Sequence, residues 1–215
     1  MQCCGYRYER WVLHQLGRCS WLLCLGCRNT EKCINIAHEA AVRNNLTHLI
    51  HFINKPISNI IEDVVLKVDV ANCDALYSIG RPDECNICPQ RIQRHKYVDA
   101  TFVTTSVDHF FPSPIFIDFM KIDTEGHDPH VFAGAMNALT EKRVGVIVAE
   151  VAPKMWDMPR EKAITVYSSI FNLGYTALCL NGRAKGITFN SKNLDYFLQT
   201  SGVQNCTDFE FRPAP

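Results

Sequence analysis

The chain has 215 residues, 22 Lys+Arg balanced by 22 Asp+Glu, and 47% hydrophobic against 20% charged residues. That composition excludes wholesale disorder and suits one α/β domain of generous size. Zero net charge speaks against a generic nucleic-acid binder, whose phosphate contacts need a basic surplus.

Near the start, Trp11 to Cys27 is the most apolar stretch, but His14, Gln15, Arg18 and two glycines interrupt it. It falls short of the roughly 20 apolar residues of a membrane span. It also lacks the clean apolar core and small-residue cleavage site of a signal peptide. With no targeting signal visible, a cytoplasmic location is the default expectation. Glu31 to Asn45 reads as a helix with Ile34, Ala37, His38, Ala41 and Val42 on one face. His48 to Ile53 and Val64 to Val70 read as strands. Residues 72–97 carry Gly80, Pro82, Pro89 and scattered charge and read as an inserted loop. Strand character returns over Ala100 to Val107.

The second half is more regular. Ile115 to Asp123 is short, apolar and bounded upstream by Pro112 and Pro114, the pattern of an interior parallel strand. A loop, Thr124-Glu125-Gly126-His127, leads to Asp128 as a predicted N-cap with Pro129 at the first helical position. Val131, Phe132, Ala135, Met136 and Leu139 continue one helical face through Lys142. Val144 to Val151 is a second buried strand. Arg160 to Leu173 is a helix closed by Gly174 in a left-handed cap. Tyr175 to Leu180 is a third strand before the turn Asn181-Gly182. Such strand–helix alternation builds a parallel sheet, and ligands collect beyond the carboxyl ends of its strands. Asp123, Glu125, His127 and Glu150 therefore share one expected rim.

Val103-Thr104-Thr105-Ser106-Val107-Asp108, then Lys121-Ile122-Asp123-Thr124-Glu125-Gly126-His127-Asp128, then Val131-Phe132-Ala133-Gly134-Ala135 occur in order with characteristic spacing. This combination resembles the FkbM family of S-adenosylmethionine-dependent methyltransferases, best over 103–151. Asn44-Asn45-Leu46 and the stretch Ile50 to Asn59 also look like that family, with Asn59 in place of its usual acid. The resemblance implies a class I methyltransferase (Rossmann-like) α/β fold, a mostly parallel sheet flanked by helices, in a single domain over 1–215. It departs from the family at the beginning. Cys4-Gly5-Tyr6 stands at the tail of the family's glycine-rich turn, and Gly26-Cys27-Arg28 stands where a ribose-binding acid belongs. The first strand is thus read as absent and the glycine motif as truncated or replaced, with 1–33 an atypical N-terminus.

The resemblance implies S-adenosylmethionine as cofactor, with Gly5, Asn59 and Asp123 as candidate cofactor contacts. Methyl transfer to a hydroxyl of a small molecule, sugar or lipid needs near-attack positioning and a proton acceptor. Asp123, Glu125 and His127 are the candidates, and Glu150 the candidate substrate contact. Each also has a structural reading: Asp123 as a helix cap or partner of Lys121, Glu125 as a turn former, His127 as a solvated loop residue, Glu150 as a hydrogen-bonded strand terminus.

Eleven cysteines are read mostly as reduced apolar residues. No metal centre is expected, the weak alternative being a zinc set of Cys73, Cys85, Cys88 and His95 built on one C-x-x-C pair. Arg81, Arg91, Arg94, His95 and Lys96 make the same loop basic, the ordinary reading being a solvated face and the other a collector of acidic substrate. Three functions follow as alternatives: an active methyltransferase, a non-catalytic remnant that keeps the sheet, and a zinc-stapled interaction module.

Overall fold

The structure is a computed structural model and describes residues 22–24, 31–53, 55–69, 97–124, 126–202 and 205–214. Gly5, Gly26-Cys27-Arg28, Cys73, Cys85, Cys88, His95 and the basic loop lie outside the described residues, as does Glu125. The architecture is α/β, a mixed sheet flanked by helices. The strands are β1 (Leu22–Cys24), β2 (Ile50–Phe52), β3 (Asp63–Asp69), β4 (Tyr97–Val103), β5 (Ile117–Ile122), β6 (Val144–Glu150), β7 (Tyr175–Cys179), β8 (Thr188–Phe189) and β9 (Asp208–Pro213). The helices are α1 (Glu31–Arg43), α2 (Val107–Phe110), α3 (Asp128–Ala133), α4 (Met136–Thr140), α5 (Arg160–Asn172) and α6 (Leu194–Thr200).

β1 and β2 form a parallel pair, and β3 and β4 an antiparallel one. The main sheet runs β5-β6-β9-β7-β8. β5 and β6 are parallel, as the sequence predicts, but β9 enters antiparallel between β6 and β7. β5, β6 and β7 still point the same way, because β7 is related to β6 through two antiparallel pairings. β6 and β7, successive in the chain, are therefore not neighbours in the sheet. β9 carries a period-two pattern, with Phe209 and Phe211 fully buried and Glu210 ion-paired with Arg212 at 2.6 Å. Those two rings join Phe132, Tyr167, Phe171, Phe189 and Phe197 in one aromatic core beneath α3, α5 and α6, with most contacts edge-on or tilted.

The predicted helix from 128 to 142 is broken in two. Gly134 stands at the break: a Cβ there would lie 2.2 Å from the Ser58 carbonyl oxygen, so only glycine lets the 56–59 segment press this close. The chain re-enters a helix at Met136 because Asp108 accepts hydrogen bonds from the Asn137 and Ala138 amides, at 2.9 and 2.8 Å. That carboxylate satisfies the orphan donors of α4 from outside the helix. Arg143, buried, donates to the Phe111 and Ile115 carbonyls at 2.9 and 2.8 Å and fixes the entry to β5. Gly174 takes the left-handed conformation expected of it, with φ +82°.

Cys179, at the end of β7, is disulfide-bonded to Cys206. This corrects the expectation of reduced cysteines for this pair. Their backbones meet because Asn181 grips the start of β9: its amide donates to Thr207 Oγ1 and Asp208 Oδ2, and its Oδ1 accepts from the Thr207 amide. The bond closes a loop of sequence separation 27. Restricting such a loop in the unfolded chain is worth about 3 kcal/mol. Cys206→Ser and chemical reduction of the native chain should lower the urea midpoint equally, and reduction should leave the variant unchanged.

Candidate functional site

Asp123 and Glu150 leave the neighbouring parallel strands β5 and β6 one residue beyond the paired Ile122 and Ala149. They stand together at the carboxyl ends of those strands, where sheet topology places ligands. Asp123 is exposed and pairs with Lys121 at 3.0 Å. Glu150 is half-buried, opposite Asp208 of β9.

His127 goes elsewhere. It is the N-cap residue of α3, with its side chain turned inward and 3% exposed. Its Nδ1 meets Asp157 Oδ2 at 2.7 Å and its Nε2 meets Ser58 Oγ at 3.2 Å. His130, one turn on, stacks on His127 with ring centroids 4.4 Å apart and planes inclined by 13°. Its Nδ1 donates to Asn59 Oδ1 at 2.8 Å, and its Nε2 lies 3.6 Å from Asp157 Oδ1. Burial and the charge of His127 lower the His130 pKa, and the nearby Asp157 offsets this only in part. Asn59, read as a cofactor contact, is thus a partner of His130.

Two close approaches bring these segments together. The 56–59 segment bridges to Thr105, through Ser58 N to Thr105 O at 2.7 Å and Thr105 N to Pro56 O at 2.9 Å, and rests on Gly134. The 152–158 loop rests on Gly126, where a Cβ would lie 2.0 Å from the Met155 carbonyl oxygen, and Asp157 N donates to Gly126 O at 3.3 Å. The same loop carries Trp156, which donates to Asp128 Oδ2 at 3.2 Å. Tyr167 also donates to that oxygen. Asp128 is therefore not the predicted N-cap but the first residue of α3, its carboxyl drawn into the core by two donors. Desolvation raises its pKa to about 7 against the opposing pull of those hydrogen bonds.

The structure thus links His127 to Asn59 only through Ser58 and His130, and holds Asp123 and Glu150 at one rim, while His127 and Asp123 face different surroundings. Sequence reasoning missed Ser58, His130, Asp157 and Trp156. His127-x-x-His130 at a helix start was the available signal, since residues three apart share a helical face. His127, His130 and Asp157 each offer a ligand atom within 4.8 Å of the others, a donor set that could hold a metal ion.

The FkbM methyltransferase domain model matches residues 17–177, well over half of the chain. The chain belongs to that family of methyltransferases. A solved structure of methyltransferase FkbM from Methylobacillus flagellatus KT is similar at 11% identity and a TM-score of 0.44, over 89% of this chain. This chain spans 36% of that protein. A comparison with curated proteins found no match. Among the described residues, no helix is long and apolar enough to cross a membrane.

Proposed function

We propose that the chain transfers a methyl group from S-adenosylmethionine to a hydroxyl oxygen of a small molecule, sugar or lipid. The family match over 17–177 carries the reading, and the carboxylates at the ends of β5 and β6 support it. Asp123, exposed beside Lys121, offers an acceptor for ribose hydroxyls or an ammonium group of such a cofactor. S-adenosylmethionine, when bound, supplies a methyl group already activated by its sulfonium. The chain then has to hold the acceptor oxygen in line with that carbon and take its proton as the new C–O bond forms. Asp123 and Glu125 are the proposed carboxylates for orientation and proton removal, and Glu150 contacts the acceptor. His127, buried with Asp157 and Ser58, acts as a positioning residue that holds the loop following β5.

Calorimetric titration with S-adenosylmethionine and with its demethylated product tests this. Micromolar binding is expected, and Asp123→Ala should weaken it by about 10- to 100-fold, the worth of one charge-assisted hydrogen bond. The variant's melting temperature should stay near that of the parent, because Asp123 is exposed. A folded chain that binds neither ligand is a non-catalytic remnant of the family.

A further inference from the structure

We propose that His127, His130 and Asp157 form a binding site for one divalent transition-metal cation of the zinc class. The inference stands on the geometry of these side chains and does not depend on methyl transfer.

Three converging ligand side chains and one unpartnered carboxylate oxygen point to a cation. Asn59 Oδ1 accepts from His130 Nδ1 at 2.8 Å and from Ser58 Oγ at 3.3 Å. Ser58 Oγ lies 3.2 Å from His127 Nε2, so the 58–59 segment engages one nitrogen of each imidazole. The other two nitrogens, His127 Nδ1 and His130 Nε2, turn toward the two oxygens of Asp157, at 2.7 and 3.6 Å. These ligand atoms lie within 4.8 Å of one another, close enough to share one cation in place of the proton between His127 and Asp157. Asp157 sharpens the point. Its side chain is 2% exposed, and among the described residues Oδ1 has no hydrogen-bond partner. A buried carboxylate oxygen without a donor is costly, and a coordinated cation removes that cost.

The surroundings match those of a metal centre. Metal-binding histidines use one nitrogen for the ion and anchor the other on an oxygen that fixes ring orientation. Ser58 and Asn59 supply those oxygens, 69 and 71 residues away in sequence from the histidines they hold. Two imidazoles and one carboxylate are the borderline donor set of zinc, cobalt and related ions, with a further position open to water or a ligand. Bonds of about 2.0–2.2 Å to zinc place neighbouring ligand atoms somewhat more than 3 Å apart. His127 and Asp157 need to part slightly, and His130, with its side chain 24% exposed, can swing in.

The test is calorimetric titration of the chelator-stripped full chain with zinc chloride, alongside the absorption spectrum with cobalt(II). One zinc per chain is expected, with visible cobalt bands lacking thiolate charge transfer. His130→Asn and Asp157→Asn should each weaken zinc by 100-fold or more, and Asn59→Ala by about 10-fold. Cys85→Ser should change nothing. Absence of binding by folded protein overturns the proposal, and so does binding that survives His130→Asn but is lost in Cys85→Ser. His130 is partly exposed, so its variant remains informative if Asp157→Asn fails to fold.

Discussion

Replacing Gly126 with alanine is expected to cost about 4 kcal/mol of folding stability, the sum of two penalties. The residue sits at φ +100°, where a side chain strains the backbone, and its Cβ would meet the Met155 carbonyl at 2.0 Å. The 152–158 loop must then lift away. It takes with it Asp157 from His127 and Trp156 from Asp128, so the loss spreads from one turn to the whole cluster. Gly186→Ala is the control. Its φ is +88°, yet nothing lies within 4 Å of the added carbon, so it carries the backbone penalty alone, about 1 kcal/mol. Urea denaturation of both variants separates strain from collision. Equal losses would show that loop docking on Gly126 contributes nothing.

A second large effect should appear on changing pH. Asp128 binds its proton more tightly in the folded chain, about 7, than at the ordinary 3.8. Between those values the folded state holds a proton that the unfolded state has released. Stability from this group is therefore complete below pH 4, declines as pH rises, and levels off above about 7. The full span is about 4 kcal/mol, since each unit is worth about 1.4 kcal/mol. Asp128→Asn keeps an oxygen for Trp156 and Tyr167 and abolishes the ionisation. It should flatten this decline and unfold at higher urea than the parent at pH 8. The difference between the two proteins is the quantity to measure, because His130 contributes with opposite sign. Its lowered pKa means that its stabilisation is lost as pH falls below about 6.5. Asp157 faces Asp128 as a like charge and adds to the upward pull, whereas Trp156 and Tyr167 oppose it through their hydrogen bonds. Identical pH profiles for parent and variant would remove Asp128 as the source.

What the letters disclose about this fold follows the range of the interactions. β5, β6, β7 and α5 were legible within a residue or two, because period and punctuation are local: Pro114 before β5, Gly174 after α5, apolar runs between. The break in the 128–142 helix was not, because the groups that meet it are distant in sequence: the Ser58 carbonyl, 76 residues upstream of Gly134, and the Asp108 carboxylate. β9 was passed over although Phe209 and Phe211 alternate with charged residues, since a six-residue strand ending at Pro213 gives no sign of insertion between two others. The site divides in the same way. Asp123 and Glu150 could be placed from strand ends alone. The partners of His127 and His130 come from segments 30, 69 and 71 positions away, and no spacing rule joins them.

The placement of β9 also bears on how the chain is made. Vectorial synthesis delivers β6 and β7 well before residues 208–213, yet each of them owes one edge to that strand. Until it emerges, a nascent chain holds two apolar strands with open backbone edges facing a gap, the condition under which strands recruit foreign partners. The Cys179 thiol waits over the same interval for Cys206, 27 residues later. Interruption of synthesis anywhere in that window leaves the sheet divided through its middle rather than frayed at its side.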